Sequence, residues 1–165
     1  TYKWLAVVSN IIVWILLFEK FDWSITFGLV ALASTLLISS SFVDLTYKEI
    51  PNSYNLGVAL LGLGFVFVYQ DYYQELLLGG VLTFILFLFI MIVSGAMGGG
   101  DVKMAGGIGF FLGMGLIVKF MTYTFLAGAI AGIFLLVIKR KGMKEVFPFG
   151  PFIAISAIYL FIFYV

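Results

Sequence analysis

Residues 76–97, LLLGGVLTFILFLFIMIVSGAM, run for 22 positions without a charged side chain. A helix of about 20 apolar residues crosses the hydrocarbon core of a bilayer, so this stretch predicts a transmembrane helix. The rest of the 165-residue chain is similar, because 64% of its residues are hydrophobic, 10% are charged and the mean hydropathy is +1.21. A transmembrane β-barrel would show segments of alternating polarity, whereas these runs are continuously apolar. The sequence therefore predicts an all-α, polytopic helical bundle in the lipid bilayer.

Seven apolar runs are separated by short polar breaks. The predicted helices cover residues 4–18, 24–43, 54–70, 76–97, 103–118, 120–138 and 148–165. The stretch 103–138 holds only Lys119 as a break, so a six-span arrangement with one long tilted helix is the alternative.

The distribution of basic residues favours seven spans. That arrangement puts seven cations on the side of the N-terminus and two on the other side. The two groups are Lys3, Lys48, Lys103, Lys139, Arg140, Lys141 and Lys144 against Lys20 and Lys119. Six spans would leave Lys119 in lipid at a cost of about 2.5–3.5 kcal/mol and would remove the bias. Because basic residues concentrate on the cytoplasmic side, we predict seven spans with the N-terminus in the cytoplasm.

Several kinds of chemistry are excluded by composition. The chain has no cysteine and no histidine, which rules out thiol catalysis, disulfides, imidazole metal sites and Ser-His nucleophiles. The net charge of +1 gives no indication of nucleic-acid binding. We expect neither a metal nor another cofactor.

Two aspartates stand at the ends of predicted helices on one membrane boundary. Asp44 ends the second helix and Asp101 opens the fifth, so their carboxyl groups can meet. A carboxylate beside long apolar stretches is costly and marks either a functional site or an ion pair. The structural alternative is a helix cap or a tie to Lys48 and Lys103. Two carboxyl groups that share a proton can activate a water and protonate a leaving amine without any metal.

The residues around this pair suggest a place for a peptide substrate. Glycines at 98–100 precede Asp101 and would let another backbone approach closely, although they could also form only a flexible turn. After Asp44, Pro51 stops the helix, and Asn52 or Ser53 is expected to cap the next one. Lys103 either balances charge in the site, contacts an acidic substrate side chain or extends to the membrane surface.

Two further glycine pairs and one proline pair complete the pattern. Gly109 with Gly113, and Gly128 with Gly132, have the spacing that allows close helix packing in lipid. The segment 148–151 is either an ordinary helix start or a broken strand that lines a substrate groove.

Three separated segments resemble the prepilin peptidases, GxGD aspartyl proteases that process type IV pilin and archaellin precursors. They are Asp44 followed by Ile50-Pro51-Asn52, then Gly95-Ala96-Met97-Gly98-Gly99-Gly100-Asp101-Val102-Lys103-Met104, and then Pro148-Phe149-Gly150-Pro151-Phe152. The resemblance treats residues 1–165 as one transmembrane peptidase domain with a core at about 24–165, and leaves only the helix at 4–18 outside it.

The resemblance implies that Asp44 and Asp101 are catalytic and that a pilin-like precursor loses a basic leader at the cytoplasmic face of the cell membrane. Larger bacterial members carry a cysteine-rich loop and methylate the new N-terminus. Because this chain has no cysteine, we expect peptidase activity without methyltransferase activity. Substrate binding or shaping of the site is expected from Ile50, Pro51, Asn52, Gly98, Gly99, Gly100, Lys103, Pro148, Phe149, Gly150 and Pro151.

Helix ends suggest different roles for the two aspartates. Asp101 stands at the positive end of its helix and Asp44 at the negative end of its own, so we expect Asp101 to be the general base and Asp44 to hold the shared proton. The alternative function is a small ion- or proton-coupled transporter that uses the same aspartates, and a scaffold without activity is a third option. The precursor, the oligomeric state and the contact between the resting aspartates stay open.

Overall fold

The computed structural model describes residues 3–95, 97–139 and 148–165. These residues are helical and contain no strand, which confirms the all-α prediction. The elements are α1 (Lys3–Phe21), α2 (Ile25–Tyr47), α3 (Asn52–Val68), a single 3-10 turn (Gln70–Tyr72), α4 (Tyr73–Ser94), α5 (Gly99–Lys139) and α6 (Gly150–Phe163). Four stretches are long and apolar enough to cross a membrane, namely Lys3–Phe21, Ile25–Tyr47, Gln70–Ser94 and Gly99–Phe134, and α3 and α6 are shorter apolar helices.

The fifth helix is interrupted at Gly113, not at Lys119. Lys119 is helical, so the predicted boundary between 118 and 120 is wrong. Gly113 has φ 62 and ψ −178, a backbone conformation that is open to glycine and costly for residues with a Cβ. It divides α5 into two arms, α5a (99–112) and α5b (114–139).

Contacts with α4 show that the chain reverses direction at Gly113. Along α4, successive residues meet earlier and earlier positions of α5a, and later and later positions of α5b. The contacts are Gly79 with Gly109 and Phe84 with Gly106 on α5a, and Glu75 with Gly115 and Phe87 with Phe125 on α5b. The arms are therefore antiparallel to each other, and the described residues form seven helical segments.

Basic residues lie at both ends of the bundle. Lys20 Nζ donates to the carbonyl oxygens of Phe161 and Ile162, and Lys119 Nζ lies 4.0 Å from the ring centroid of Tyr164. Both lysines are thus at the C-terminal end of α6. Lys103 follows the start of α5, near the N-terminal end of α6, and Lys139 ends α5. Arg140, Lys141 and Lys144 of the predicted basic cluster lie outside the described residues.

The arm α5a is the centre of the bundle. Its buried apolar side chains are Val102, Met104, Ala105, Ile108, Phe111 and Leu112. Helices in lipid associate through close packing, because surrounding lipid is as apolar as their side chains. The helices α4 and α5 approach each other closely, since a Cβ added at Gly79 would lie 2.5 Å from the Cα of Gly113.

The predicted glycine contacts are borne out only in part. Gly109 faces the carbonyl oxygen of Gly79, which a Cβ at 109 would approach to 2.6 Å. Gly128 lies against the ring of Phe149, whereas a Cβ at Gly132 would meet nothing within 4 Å. Gly132 therefore packs against no other helix in the part of the chain that the structure describes.

Candidate active site

Asp44 is buried in the last turn of α2 and is held by the start of α6. Its side chain is 5% exposed, and Oδ2 accepts a hydrogen bond of 2.9 Å from the backbone N–H of Gly150. Gly150 opens α6, Phe149 is the N-cap and Pro151 lies in the first turn, so the segment 148–151 is a helix start. A helix N-terminus carries partial positive charge and unpaired N–H groups, which suit a carboxylate.

Asp101 occupies the first turn of α5a. It is 7% exposed, and Oδ2 accepts a 3.0 Å hydrogen bond from the N–H of Gly98. This bond resembles the backward bond of a capping box, in which an acidic side chain binds the N–H group that precedes the helix. Oδ1 is buried and has no hydrogen-bond partner among the residues that the structure describes. Asp101 thus keeps one oxygen for other chemistry.

Ile50 brings the two aspartate segments together. A Cβ at Gly100 would lie 3.1 Å from Ile50 Cβ, and a Cβ at Gly150 would lie 3.1 Å from Ile50 Cδ1 and 2.8 Å from Asp44 Oδ2. Ile50 therefore packs on both glycines, and the carboxyl group of Asp44 is within electrostatic range of Asp101. The start of α5, the start of α6 and the end of α2 therefore lie at the same end of the bundle.

The three glycines before Asp101 differ in what surrounds them. Positions 98 and 99 have open space, since a Cβ at Gly99 would meet nothing within 4 Å and the nearest atom to one at Gly98 is Asp101 Oδ2, at 3.6 Å. Gly100, in contrast, is covered by Ile50 of the same chain. Among the residues that the structure describes, space for an approaching backbone is present at Gly98 and Gly99, whereas the space at Gly100 is filled by Ile50.

Lys103 and Asn52 contact each other instead of the aspartates. Lys103 Nζ donates to Asn52 Oδ1 at 2.9 Å. Lys103 is two positions after Asp101, which is about 200° around a helix, so the two side chains leave α5a on nearly opposite sides. Within the described ranges, no lysine forms an ion pair with Asp44 or Asp101. The prediction that Asn52 caps α3 is wrong, because the N-cap is Pro51 and no side chain caps this helix.

Sequence reasoning missed the contact of α6 with Asp44 and the burial of Asn55. The helix-end argument placed Asp44 only at the negative end of α2, but Gly150 brings the positive end of α6 to the same carboxylate. Helix ends therefore no longer distinguish a base from an acid. Asn55 is 4% exposed in the apolar helix α3. Its burial could have been predicted, because it is an amide side chain at the start of an apolar run.

Residues 30–137 match the model of the type IV leader peptidase family. The chain is 32% identical over 145 residues to the prepilin leader peptidase/N-methyltransferase of Legionella pneumophila, which covers 84% of this chain and 50% of that protein. It is 29% identical over 136 residues to the protein of the same description from Bacillus subtilis (strain 168), covering 78% of this chain and 53% of that protein. The chain thus spans about half the length of these curated relatives. No solved structure matches it.

Proposed function

Because this chain belongs to the type IV leader peptidase family, as its three motifs indicated, we propose that it is a membrane-embedded aspartyl endopeptidase with Asp44 and Asp101 as its catalytic residues. The observation that carries the proposal is the pair of buried carboxyl groups. They come from helices far apart in sequence, lie within electrostatic range, and each has Oδ2 held by a backbone N–H.

The pair can perform peptide hydrolysis with the groups present. A water between the carboxyl groups loses a proton to the ionised aspartate while its oxygen attacks the scissile carbonyl carbon. During this attack, the other aspartate, which is protonated, donates a hydrogen bond to the carbonyl oxygen. As the C–N bond breaks, the proton taken from the water passes from that aspartate to the amine nitrogen, which leaves one ionised and one protonated aspartate ready for another water. The backbone bonds at Gly98 and Gly150 fix one oxygen of each aspartate, and Asp101 Oδ1 is available to the water.

The proposed topology has seven membrane crossings with the active site at the cytoplasmic face. The antiparallel arms α5a and α5b supply the extra crossing, with the turn at Gly113. Lys48 and Lys103 lie at the end of the bundle that holds the aspartates, while Lys20 and Lys119 lie at the other end. The connection at 139–150 adds Arg140, Lys141 and Lys144 to the aspartate end in this topology. The excess of cations supports a cytoplasmic site by the positive-inside rule.

The proposed substrate is a type IV pilin-like precursor, of the tight-adherence or archaellin kind, whose basic leader is removed. The relatives are described as prepilin leader peptidases that are also N-methyltransferases. We propose that these 165 residues provide the peptidase activity alone. In support, they contain no cysteine, and only residues 22–24 connect α1 to α2, where no additional domain fits.

Cleavage of a precursor tests the proposal directly. The detergent-purified protein is incubated with a pilin-like precursor that carries a basic leader, and the product is followed by mass spectrometry. Wild type should release the leader, and Asp44→Asn and Asp101→Asn should each lower the rate about 10²- to 10⁴-fold. Asp71→Asn is the matched control, because Asp71 lies in the 3-10 turn before α4, whereas the site follows the opposite end of that helix. Equal rates for all three variants would refute the assignment.

The same proteins distinguish the alternative functions. A transporter predicts proton or ion flux in liposomes that depends on both aspartates, without any cleavage, and a scaffold predicts that both substitutions are silent. The position of the aspartates favours the protease, since Asp44 lies three residues before the end of α2 and Asp101 two residues after the start of α5, not near the helix centres expected of a transport site.

A further inference from the structure

A groove lies on the side of α5a that faces away from the aspartates. It has a volume of about 440 Å³, is open on one side, and is lined by residues of α3, α4 and α5a. Its walls are apolar over most of its length, with Leu56, Val81, Phe84 and Phe110 among the lining residues. From Lys103 to Phe110 it follows seven residues of helix, which is about 10 Å. This shape accommodates an alkyl chain.

The polar lining of the groove is concentrated at one end. Asn52, Asn55 and Lys103 are its polar residues, and all three lie near the starts of α3 and α5. Asn55 is 4% exposed, and neither its Nδ2 nor its Oδ1 has a partner within the described part of the chain. An unpaired buried amide lowers the stability of the folded protein, so a ligand that pairs with it would recover that free energy.

The charge at this end suits an anion. Lys103 uses one ammonium hydrogen for Asn52 Oδ1 and has two others. The N-cap of α3 is Pro51, and no side chain caps the first turn. The N–H groups of Tyr54 and Asn55 donate to the carbonyl oxygen of Pro51, so those of Asn52 and Ser53 and the positive end of the dipole are left for a ligand. A cation, a helix N-terminus and a buried amide donor together form a site for an oxyanion.

We propose that this groove binds one phospholipid molecule. The phosphate oxygens accept hydrogen bonds from Lys103 Nζ, Asn55 Nδ2 and the first turn of α3, and an acyl chain lies along the apolar walls. In a bilayer, a phospholipid is the molecule that offers a phosphate and an alkyl chain at this separation. The bound lipid would hold Asn52 and Lys103 in place, and with them the segment at Ile50 that covers Gly100.

Binding is tested with the full chain purified in a detergent without phosphate. Native mass spectrometry measures bound lipid, and thermal unfolding measures stabilisation, on addition of dioleoylphosphatidylglycerol, dioleoylglycerol or inorganic phosphate. We expect one saturable equivalent of phosphatidylglycerol and a raised Tm, and no comparable effect of diacylglycerol or of phosphate alone. Equal effects of the two lipids would overturn the proposal, because the phosphate would then not be recognised.

Two substitutions with matched controls locate the site. Lys103→Met and Asn55→Leu should each weaken phosphatidylglycerol binding by about tenfold or more. Lys3→Met removes a cation near the same end of the bundle, and Asn10→Leu makes the same amide change in α1, and both should bind as wild type does. If all four variants bind equally, the lipid is bound only non-specifically around the bundle and the proposal is wrong.

The effect of Asn55→Leu on stability separates a ligand site from a structural amide. Without lipid, the variant should unfold at the same or a higher temperature than wild type, because an unpaired amide has been removed from apolar surroundings. A lower Tm would mean that Asn55 stabilises the apo fold and would contradict the proposal. A photocrosslinking probe placed at Leu56 gives a further test. If it crosslinks the apolar segment of the precursor and not phosphatidylglycerol, the groove binds substrate and the proposal is wrong.

Discussion

Replacing Gly150 by alanine should impair catalysis without unfolding the protein. Gly150 donates its N–H to Asp44 Oδ2 at 2.9 Å, and a Cβ at this position would lie 2.8 Å from the same oxygen. To reach an ordinary contact distance of 3.4 Å, the carboxyl group must move by about 0.6 Å. Such a movement stretches the hydrogen bond to about 3.5 Å, where little of it remains. Ile50 Cδ1, 3.1 Å from the same Cβ, restricts the other directions.

The size of the effect follows from the bond that is lost. A hydrogen bond to a charged group contributes about 1.5–3 kcal/mol, which corresponds to a rate loss of about 10- to 150-fold if the bond orients Asp44 in the transition state. The fold should tolerate the change, because alanine is favoured over glycine in a helix by up to about 1 kcal/mol and φ at 150 is not in the left-handed region. Gly150 is a positioning residue, so kcat should fall more than KM rises.

The assay compares Gly150→Ala with Gly28→Ala by precursor cleavage and thermal unfolding. Gly28 lies in α2, and a Cβ there would meet nothing within 4 Å, so it controls for the substitution itself. We expect Gly28→Ala to cleave at the wild-type rate, and Gly150→Ala to cleave slowly at nearly unchanged Tm. Wild-type kcat in Gly150→Ala would show that Asp44 does not depend on the start of α6. A collapse of Tm together with kcat would show that Gly150 serves stability instead.

Three further predictions concern the reversal in α5 and the topology. Gly113→Ala should lower the free energy of unfolding by about 1–3 kcal/mol, seen as a lower Tm in detergent, because φ is 62 at this position; an unchanged Tm would contradict the reversal there. Gly79→Ala should destabilise by a similar amount, about 1–3 kcal/mol, because its Cβ meets the backbone of Gly113 at 2.5 Å; Gly132→Ala, with open space, is the control that should keep the wild-type Tm. The chain has no cysteine, so the variants Lys48→Cys and Lys119→Cys each carry a single thiol. A membrane-impermeant maleimide should label the Lys48→Cys variant only from the cytoplasmic side and the Lys119→Cys variant only from the outside. Labelling of both variants from the same side would refute seven crossings.

Much of the fold could be predicted because lipid imposes long apolar runs on any helix that crosses it. The run at 76–97 corresponds to α4, Tyr73–Ser94, within a few residues. The predicted break in α5, at Lys119, is wrong because a charged residue does not by itself end a helix. Lys119 stays inside a helix, with Nζ over the ring of Tyr164, and the chain turns instead at one of 19 glycines. The glycine at which the chain reverses is determined by the packing of α4 against both arms of α5, and no local sequence pattern predicts that packing.

The two aspartates of the candidate site could be predicted from the sequence, but the residues that hold them in place could not. Asp44 and Asp101 stand out because carboxylates beside apolar runs are costly, and the order of helices puts both at one boundary. The bond between Gly150 and Asp44 joins residues 106 positions apart, and the bond between Lys103 and Asn52 joins residues 51 apart. Contacts at such separations depend on how helices pack, so the sequence indicated the segments but not their partners.

Helix lengths give a physical reason why the proposed site is recessed. The arm α5a (99–112) and α6, with 14 residues, are each about 21 Å long, whereas α2 and α4, with 23 and 22 residues, are about 33–35 Å long. A bilayer core is about 30 Å thick, so the longer helices can span it, whereas the two shorter helices that begin at the aspartates cover only part of it. If their other ends reach the opposite surface, their starts lie below the level of the membrane surface on the aspartate side. The carboxyl groups, 5% and 7% exposed as residues, would then sit in a hollow between longer helices. A helical precursor cannot present a peptide bond in such a hollow, because its carbonyls are already hydrogen-bonded within the helix. Cleavage there requires that the precursor unwind at the junction between its leader and its apolar segment.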